Sequence, residues 1–394
     1  MNNLAAQFLL DPAVTFLNHG SFGACPKPVF ARYQNWQLQL ERQPVAFLDP
    51  MRGYGKWMRD ARESLAAYLG ADPADLVGQM NATVGLNVVA QSLPLHPLDE
   101  ILTTDHEYAA LEKTWAHVAR RTGAKIVVAK VPLPLTSESA FTDTLLAAMT
   151  PRTKVLFLSH ITSATALLFP IERAVAVARE RGIWSVIDGA HTPGHIPLNL
   201  DALGADFYAG NCHKWMMAPK GAAFLHVRRA WQRIITPLVI SHGWTDDLAT
   251  ATTGVFGNTP FIDSLEMQGT RDPAAFLTVP AAIDFARAHD WDSVRARARD
   301  LVDRTEQRVA ALTGIAPFAS PAFRAPQMAA MPLPRTDPKA LQANLMADHG
   351  IEIPCFDWQD HTIARVSGQG YNTQGQMDLL VTGLTRLLSL PRAA

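Results

Sequence analysis

Short apolar runs alternate with amphipathic stretches through the middle of the chain. Each apolar run is bounded by glycine, proline or a charged residue, which predicts a buried β-strand. The predicted strands cover residues 125–131, 154–159, 183–188, 205–209 and 221–227. Apolar positions recur at helical spacing over residues 108–121 and 171–181, and a glycine that can cap a helix follows each stretch. Strands that alternate with helices predict an α/β fold with a mostly parallel sheet.

The last third of the chain has a different pattern. Its predicted elements are a Thr-, Gly- and Asp-rich loop at 243–260, a helix at 275–304 that breaks near His289 and Asp290, apolar segments at 327–333 and 362–367, and a helix at 338–349. This order predicts a smaller α+β domain at the C-terminus. We place the boundary near residue 270, so that residues 31–270 form the large domain and residues 271–394 the small one.

Composition and charge exclude several classes of protein. The 394 residues include 35 Lys and Arg against 36 Asp and Glu, so the chain offers no basic surface for nucleic acid or an anionic membrane. The longest apolar runs are shorter than the roughly 18 residues of a membrane-spanning helix. The first ten residues hold no Lys or Arg, and the 3 widely spaced cysteines form no CxxC pair and no disulfide framework. We therefore expect a cytoplasmic protein without a nucleic-acid, membrane or metal partner.

Three polar features stand where an α/β sheet commonly binds ligands. Asp188 ends a predicted strand, Lys214 follows another beside His213, and Asn81 and Thr83 precede an apolar run that predicts a helix. Each feature alone has an ordinary structural interpretation, as a turn cap, a surface lysine or a helix cap. Together they supply a nucleophilic amine, an acid and a helix N-terminus that can bind phosphate, which are the groups that pyridoxal phosphate requires.

Eight short motifs are spread over almost the whole chain. In order they are LNHGSFG (17–23), NAT (81–83), DHEY (105–108), SH (159–160), DGAH (188–191), HKW (213–215), QGTRD (268–272) and RVS (365–367) followed by YNT (371–373). With these motifs the chain resembles the class V aminotransferase group of fold-type I pyridoxal phosphate enzymes, and within it the isopenicillin N epimerase-like branch. The resemblance implies a large domain with a seven-stranded, mostly parallel sheet flanked by helices, a smaller α+β domain at the C-terminus, and an N-terminal arm, residues 1–30, that lines the active site.

The resemblance implies a role for each cofactor-binding residue. Lys214 would form the Schiff base with pyridoxal phosphate and move the α-proton of an amino-acid substrate. Asp188 would pair with the pyridine nitrogen, and His191 would lie near the phenolic oxygen of the ring. The phosphate would be held by Ala82, Thr83 and His213. Thr270 would reach the phosphate of the neighbouring subunit's cofactor, which implies a homodimer with shared active sites.

The resemblance also assigns residues to the substrate. Arg365 would clamp the α-carboxylate, a task that suits the planar fork of arginine. His19 and Ser21 of the N-terminal arm would contact the substrate as well. Arg271 would lie at the dimer interface, where it would either bind a distal carboxylate of the substrate or form a salt bridge with an acid such as Asp272.

Three positions depart from the pattern of relatives or leave alternatives open. An aromatic ring should stack on the cofactor face opposite the lysine; His106 fits the pattern of cysteine desulfurases, Tyr108 fits that of the epimerase branch, and we favour His106. Asn211 stands where many relatives have a serine, so that an amide replaces one phosphate hydroxyl or the contact is lost. Ser163 stands where desulfurases have an asparagine that contacts the ring oxygen.

The reaction depends on the groups that surround the α-carbon. The branch favours an epimerase or racemase, which needs Lys214 on one face and a second acid, Tyr108, His19 or His106, on the other. The same acids suit a C–S lyase that catalyses β-elimination, and the transamination of class V aminotransferases is a further alternative. A cysteine desulfurase needs an exposed cysteine, whereas the context of Cys355 predicts a buried residue at a strand end.

Overall fold

A computed structural model describes residues 4–246 and 250–390 of the chain. Its strands are β1 (Thr15–Phe16), β2 (Leu76–Gln79), β3 (Glu100–Thr104), β4 (Lys125–Ala129), β5 (Thr153–Ser159), β6 (Trp184–Gly189), β7 (Phe207–Asn211), β8 (Ala223–Val227), β9 (Met328–Leu333), β10 (Ile351–Glu352), β11 (Cys355–Trp358) and β12 (His361–Ser367). Its helices are α1 (His19–Phe22), α2 (Lys27–Arg42), α3 (Pro44–Leu48), α4 (Gly53–Leu69), α5 (Ala82–Ser92), α6 (Ala109–Thr122), α7 (Glu138–Ala148), α8 (Glu172–Glu180), α9 (Leu200–Leu203), α10 (Pro260–Glu266), α11 (Ala274–Leu277), α12 (Val279–Ala288), α13 (Trp291–Thr313), α14 (Pro338–His349) and α15 (Gln374–Leu387). Parts of three predicted segments, residues 1–3, 247–249 and 391–394, lie outside the described residues.

The central sheet positions the candidate site. Within the described residues it has seven strands in the order β2-β8-β7-β6-β5-β3-β4, and β8 alone runs antiparallel to its neighbours. Leu156 and Leu158 of β5 belong to one core cluster, whereas Val155 and Phe157 belong to another. The inner strands are therefore buried on both faces, which explains their continuous apolar runs and confirms the predicted α/β fold class. The edge strand β4 differs, because its Ile126 and Val128 are exposed.

A smaller antiparallel sheet with the order β11-β12-β9 forms in the C-terminal part of the described chain. Helix α13 packs on β9, and α14 packs on β11. The N-terminal segment joins this part of the molecule, because β1 pairs in parallel with β10 through Thr15–Ile351 and Phe16–Glu352. The α+β character of the C-terminal part is thus confirmed, while the boundary near residue 270 stays a prediction. Among the described residues, no helix is both long enough and apolar enough to span a membrane.

The local pattern predicted most central strands but not all of them. The five predicted strands correspond to β4–β8 with shifted ends, and the predicted break in the long helix is confirmed at Asp290, whose φ of 47° interrupts the turn between α12 and α13. Strand β3 was not predicted, because it begins with Glu100 and ends in two threonines and so has no long apolar run. Glu100 is buried nonetheless, and its carboxylate accepts a hydrogen bond from Arg152 Nε at 2.8 Å.

Candidate active site

A cavity of about 600 Å³ lies at the carboxyl ends of β5, β6 and β7. Its walls come from the N-terminal arm, the start of α5, the ends of these strands and strand β12. The predicted site residues that line it are Ser21, Ala82, Thr83, Tyr108, Ser163, Asp188, His191, Asn211, His213, Lys214 and Arg365. Those that do not are His19, His106, Thr270 and Arg271. The fold therefore brings most of the predicted site into one cavity.

Lys214 follows β7, and its amine points towards a histidine. Lys214 Nζ lies 3.0 Å from His191 Nε2, and the Lys214 carbonyl oxygen lies 3.1 Å from His19 Nε2. Burial, followed by the charge of Arg365, lowers the pKa of the amine to about 7, and the carboxylate of Asp188 opposes this shift. A substantial fraction of the amine is therefore neutral and nucleophilic near pH 7.

Asp188 ends β6 and places a buried acid in the cavity. Its side chain is 4% exposed, and its carboxylate accepts a hydrogen bond from the Ala190 N–H at 2.8 Å. Burial raises the pKa of this carboxyl, whereas the Ala190 N–H and the charge of Lys214 lower it. A cation brought into the cavity, such as a protonated pyridine nitrogen, would stabilise the carboxylate, so the residue fits the predicted partner of the ring nitrogen.

A second buried acid, Glu107, lies beside the cavity and was not predicted as a site residue. Its carboxylate accepts hydrogen bonds from Thr104 Oγ1 at 2.6 Å, from the Ser159 N–H at 2.8 Å and from Ser159 Oγ at 2.6 Å. Burial raises its pKa to about 7, and the charge of Asp188 acts in the same direction. Glu107 thus joins the ends of β3 and β5. A charged residue inside a motif that follows a buried strand was the signal that could have identified it.

The start of α5 has the geometry of an anion site, but the protein already uses part of it. Asn81 Oδ1 caps the helix by accepting the Val84 N–H at 2.9 Å, and Asn211 Oδ1 accepts the Ala82 N–H at 2.9 Å. The Asn211 side chain is therefore hydrogen-bonded to the backbone of Ala82, a contact that was not predicted from the sequence. Thr83 lies between the two capped positions and lines the cavity, which leaves it the best-placed residue of α5 to donate to a phosphate.

Two more polar side chains, one a histidine and one a lysine, lie on the same side of the cavity. His213 Nδ1 lies 3.2 Å from the Ala222 carbonyl oxygen, and burial lowers the pKa of this histidine to about 4. The carbonyl oxygen can only accept, so the neutral ring carries its hydrogen on Nδ1, and Nε2 could donate to a phosphate only after the ring is protonated. Lys220, which the sequence analysis missed, also lines the cavity and donates to the Gly23 carbonyl at 3.0 Å. No motif marked this lysine, because its position is set by the loop after Lys214.

Arg365 on β12 directs a buried guanidinium into the cavity. Its Nη1 donates to the Ser163 carbonyl and, at 3.2 Å, to Ser163 Oγ, while its Nη2 donates to Ser21 Oγ at 3.1 Å. Its Nε is buried without a partner, and no carboxylate of the described residues forms a salt bridge with it. Burial lowers the pKa of Arg365 to about 10, so it remains charged at pH 7. An unpaired buried cation that faces a cavity is suited to an anionic substrate group.

The three candidate acids, Tyr108, His106 and His19, differ in whether they line the cavity. Tyr108 lines the cavity with a ring that is 43% exposed. His106 is buried outside the lining, with its Nδ1 2.7 Å from Thr165 Oγ1 and its ring 4.7 Å from that of Trp358. His19 is also fully buried. Of the three, Tyr108 alone lines the cavity, whereas the His106 ring packs against Trp358; which of them stacks on the cofactor stays a prediction.

The two residues predicted for a shared site lie away from the cavity of their own chain. Thr270 is exposed, and Arg271 Nη2 lies 3.5 Å from Tyr54 Oη. Asp272, the alternative partner of Arg271, instead accepts a hydrogen bond from Gln37 Nε2 at 2.9 Å. Both predicted roles require a second copy of the chain, and they stay predictions.

Comparison with known proteins gives the same family throughout. A profile of the family described as "Aminotransferase class-V" matches residues 25–380. The isopenicillin N epimerase of Amycolatopsis lactamdurans is 38% identical over 98% of both chains, and that of Streptomyces clavuligerus is 35% identical over 97% of this chain and 96% of its own. A putative L-cysteine desulfhydrase of Oryza sativa subsp. japonica is 30% identical over 77% of this chain and 64% of its own.

Solved structures agree on the fold. The cysteine desulfurase CsdA from Escherichia coli superposes with a TM-score of 0.82 over 98% of this chain and 97% of its own, at 24% identity. The amine, the acid, the helix start and the arginine that the cavity combines fit the cofactor of this family. The chain belongs to the aminotransferase class-V family, in its isopenicillin N epimerase-like branch, and is a pyridoxal phosphate-dependent enzyme.

Proposed function

We propose that the enzyme is an epimerase or racemase that inverts the α-carbon of an amino acid, with Lys214 on one face of the substrate and Tyr108 on the other. The observation that carries the proposal is the position of Tyr108, which alone among the three candidate acids lines the cavity that holds Lys214. The similarity to two isopenicillin N epimerases over nearly their whole length supports the same class of reaction.

The cavity residues would divide the binding of cofactor and substrate among them. When bound, pyridoxal phosphate supplies an aldehyde that bonds amines and a ring that accepts electrons from the α-carbon. Asp188 would hold the proton of the ring nitrogen, and Thr83 with His213 would hold the phosphate. Arg365 would bind the α-carboxylate of the substrate with its fork and so fix the orientation of the α-hydrogen towards Lys214.

Inversion requires that a proton leaves one face of the α-carbon and that another arrives on the opposite face. Lys214 Nζ would accept the α-proton, and Tyr108 Oη would donate its own proton to the other face. In the reverse direction Tyr108 accepts the α-proton and Lys214 donates one. Because one proton leaves and one arrives in each direction, substrate and product have the same composition. Because Tyr108 is half-exposed, its hydroxyl can exchange protons with water between turnovers.

A C–S lyase is the second candidate, and the similarity to a putative L-cysteine desulfhydrase favours it. Tyr108 would then protonate the sulfur that leaves the β-carbon instead of the α-carbon. A desulfurase that forms a persulfide on the enzyme has less support. Cys25, Cys212 and Cys355 do not line the cavity, and burial raises the thiol pKa of Cys25 and Cys355 to about 12, which disfavours the nucleophilic thiolate.

Proton NMR in heavy water, combined with chiral chromatography of the products to identify the enantiomers, tests the proposal directly. The enzyme, loaded with pyridoxal phosphate, is incubated with a panel of L- and D-amino acids and cysteine conjugates. An epimerase replaces the α-hydrogen by deuterium and produces the opposite enantiomer with the carbon skeleton intact. Pyruvate and a released thiol, without the opposite enantiomer, would overturn the proposal in favour of the lyase. The Lys214→Ala variant serves as the control and should catalyse neither reaction.

A further inference from the structure

Trp215, directly after Lys214, contacts the neighbouring histidine of the cavity. The side chain is fully buried, and its Nε1 donates a hydrogen bond to His191 Nδ1 at 3.3 Å. An indole nitrogen can only donate, so His191 Nδ1 has to accept. Burial, with the charges of Lys214 and Arg365, lowers the pKa of His191 far below its ordinary value, which keeps the ring neutral at pH 7. A neutral ring that accepts at Nδ1 carries its hydrogen on Nε2.

A second histidine holds the indole in position. The Gln327 N–H donates to His195 Nε2 at 2.8 Å, and burial lowers the pKa of His195 to about 3, so the neutral ring carries its hydrogen on Nδ1. That Nδ1 lies 3.0 Å from the His191 carbonyl oxygen and can donate to it. The His195 ring stacks on Trp215, with ring centroids 4.0 Å apart and an interplanar angle of 27°. The Trp215 indole N–H and the Gln327 backbone N–H can only donate. They therefore determine which ring nitrogen of His191 and of His195 carries the hydrogen.

From this network we infer that Trp215 is a positioning residue that fixes the Nε2–H form of His191, so that His191 donates its hydrogen to Lys214 Nζ and favours the neutral amine. The inference rests on the proposed function of Lys214 as the base. His191 Nε2 and Lys214 Nζ are 3.0 Å apart, and a protonated amine has no lone pair with which to accept. The other charged groups that face the amine are Arg365 on β12 and Asp188 on β6.

Removal of the indole N–H should reverse this preference. Without it, the His191 hydrogen can move to Nδ1, and the free lone pair on Nε2 can accept from a protonated lysine. The charged amine is then stabilised, and the pKa of Lys214 rises. Trp215→Phe keeps an aromatic ring against His195 and removes the donor together with part of the buried indole. We expect about a fivefold change in the ratio of the two His191 forms, the net worth of one hydrogen bond, and a rise of about 0.7 in the Lys214 pKa.

The form of the His191 ring can be measured without any turnover. Full-length protein labelled with ¹⁵N-histidine is studied by long-range ¹H–¹⁵N correlation, before and after addition of pyridoxal phosphate, and the His191 signals are assigned by their loss in His191→Gln. We expect a protonated Nε2 in the unsubstituted protein and a mixture of forms in Trp215→Phe. Trp231→Phe is the matched control, because its Nε1 donates to Asp206 Oδ1 at 2.7 Å, outside the network.

The lysine provides a second, independent measurement. The rate at which trinitrobenzenesulfonate modifies Lys214 in the cofactor-free chain, with Lys214→Ala as the blank, gives the pH at which the amine becomes neutral. The midpoint should rise in Trp215→Phe but not in Trp231→Phe. Glutamine has no ring hydrogen that can move between two nitrogens. In a His191→Gln background, Trp215→Phe should therefore have no effect on this midpoint.

The outcomes separate this inference from the proposed function. A protonated Nδ1 on His191 in the unsubstituted protein, or a Lys214 midpoint that Trp215→Phe leaves unchanged, would overturn the positioning role while the epimerase proposal stands. A merely structural Trp215 would lower thermal stability without moving either measurement. Turnover that survives Lys214→Ala would instead overturn the proposed function, and the form of the His191 ring could still be read from its NMR signals.

Discussion

The two walls of the cavity are built in different ways. The wall behind Lys214 is closed: His191, Trp215 and His195 are buried and joined by hydrogen bonds whose directions are determined. Side chains in such a wall have one arrangement, because any rotation would leave a buried polar atom without a partner. This wall is therefore suited to the step that all reactions of the cofactor share, the handling of the α-proton.

Another part of the lining, the open wall, is exposed to solvent. Tyr108, Phe22 and Met80 line it with side chains that are 43%, 70% and 52% exposed. Few contacts restrain these groups, so substitutions among them cost little stability and alter the shape of the entrance. If the proposed function holds, we expect the closed wall to handle the α-proton and the open wall to select the substrate and supply the second proton donor. Variants on each side can break or sharpen this division.

The largest effect is expected on the closed wall. Lys214→Ala removes the base and the amine that bonds the cofactor, so turnover should fall at least about 10³-fold, and the visible absorption of the lysine-bound cofactor should disappear. Absorption spectra and rates of α-hydrogen exchange measure both. Lys56→Ala, which removes an exposed lysine of α4, is the control and should change neither. Retained turnover in Lys214→Ala would assign the base to another residue.

Arg365, which also lines the cavity, should have the next largest effect. Arg365→Lys keeps the positive charge but loses the planar fork, so KM for amino acids should rise about 10²-fold. Steady-state kinetics with an amino acid and with its methyl ester provide the test. The ester lacks the carboxylate, so its KM should change little. An equal loss for both substrates would show that Arg365 acts on the fold of the cavity and not on the carboxylate.

Tyr108→Phe tests the open wall while it leaves the ring in place. Formation of the opposite enantiomer should slow about 10²-fold, because the acid on that face is lost. Exchange of the α-hydrogen of one enantiomer should persist, since Lys214 still removes the proton from its own face. Chiral chromatography and NMR in heavy water separate the two rates. Tyr33→Phe on α2 is the control. If exchange and inversion fall together, Tyr108 does not serve one face alone.

The smallest effect is expected at the entrance. Phe22→Ala should change KM only a few-fold, by different factors for substrates with large and small side chains, because it removes a contact that is mostly exposed. The absorption of the bound cofactor should remain unchanged. Kinetics with a series of side-chain lengths measure the ratio. A uniform loss for every substrate, or a shift in the absorption, would mean that the entrance and the closed wall are not independent.

Sequence reasoning could predict that Asp188, Lys214 and the start of α5 meet at one cavity, because their signals are local. Asp188 and Lys214 follow apolar strands, and Asn81 precedes an apolar helix, so neighbouring residues alone indicate where they lie. The carboxyl ends of parallel strands meet at one edge of the sheet, which brings the acid and the lysine together in any sequence with this order of elements.

Which of His106 and Tyr108 lines the cavity depends on contacts that are distant in sequence. Both residues lie in one four-residue motif, and no local pattern distinguishes their directions. Trp358 on β11, with Phe169, packs on the His106 ring and leaves Tyr108 to face the cavity. The same limit applies to the Trp215 network, since the Gln327 N–H that orients His195 belongs to a residue more than a hundred positions further along the chain.

The pairing of β1 with β10 gives the molecule an order of assembly. Leu17 accepts a hydrogen bond from the Ser367 N–H at 2.8 Å and packs in the core cluster of the C-terminal part, so the arm that carries Ser21 cannot dock until residue 367 has been synthesised. A ribosome releases the N-terminus first and the C-terminal strands last. The arm, which is made before the C-terminal strands, therefore closes the cavity after them, and in the nascent chain the loop of Lys214 stays uncovered on that side until residue 367 has emerged.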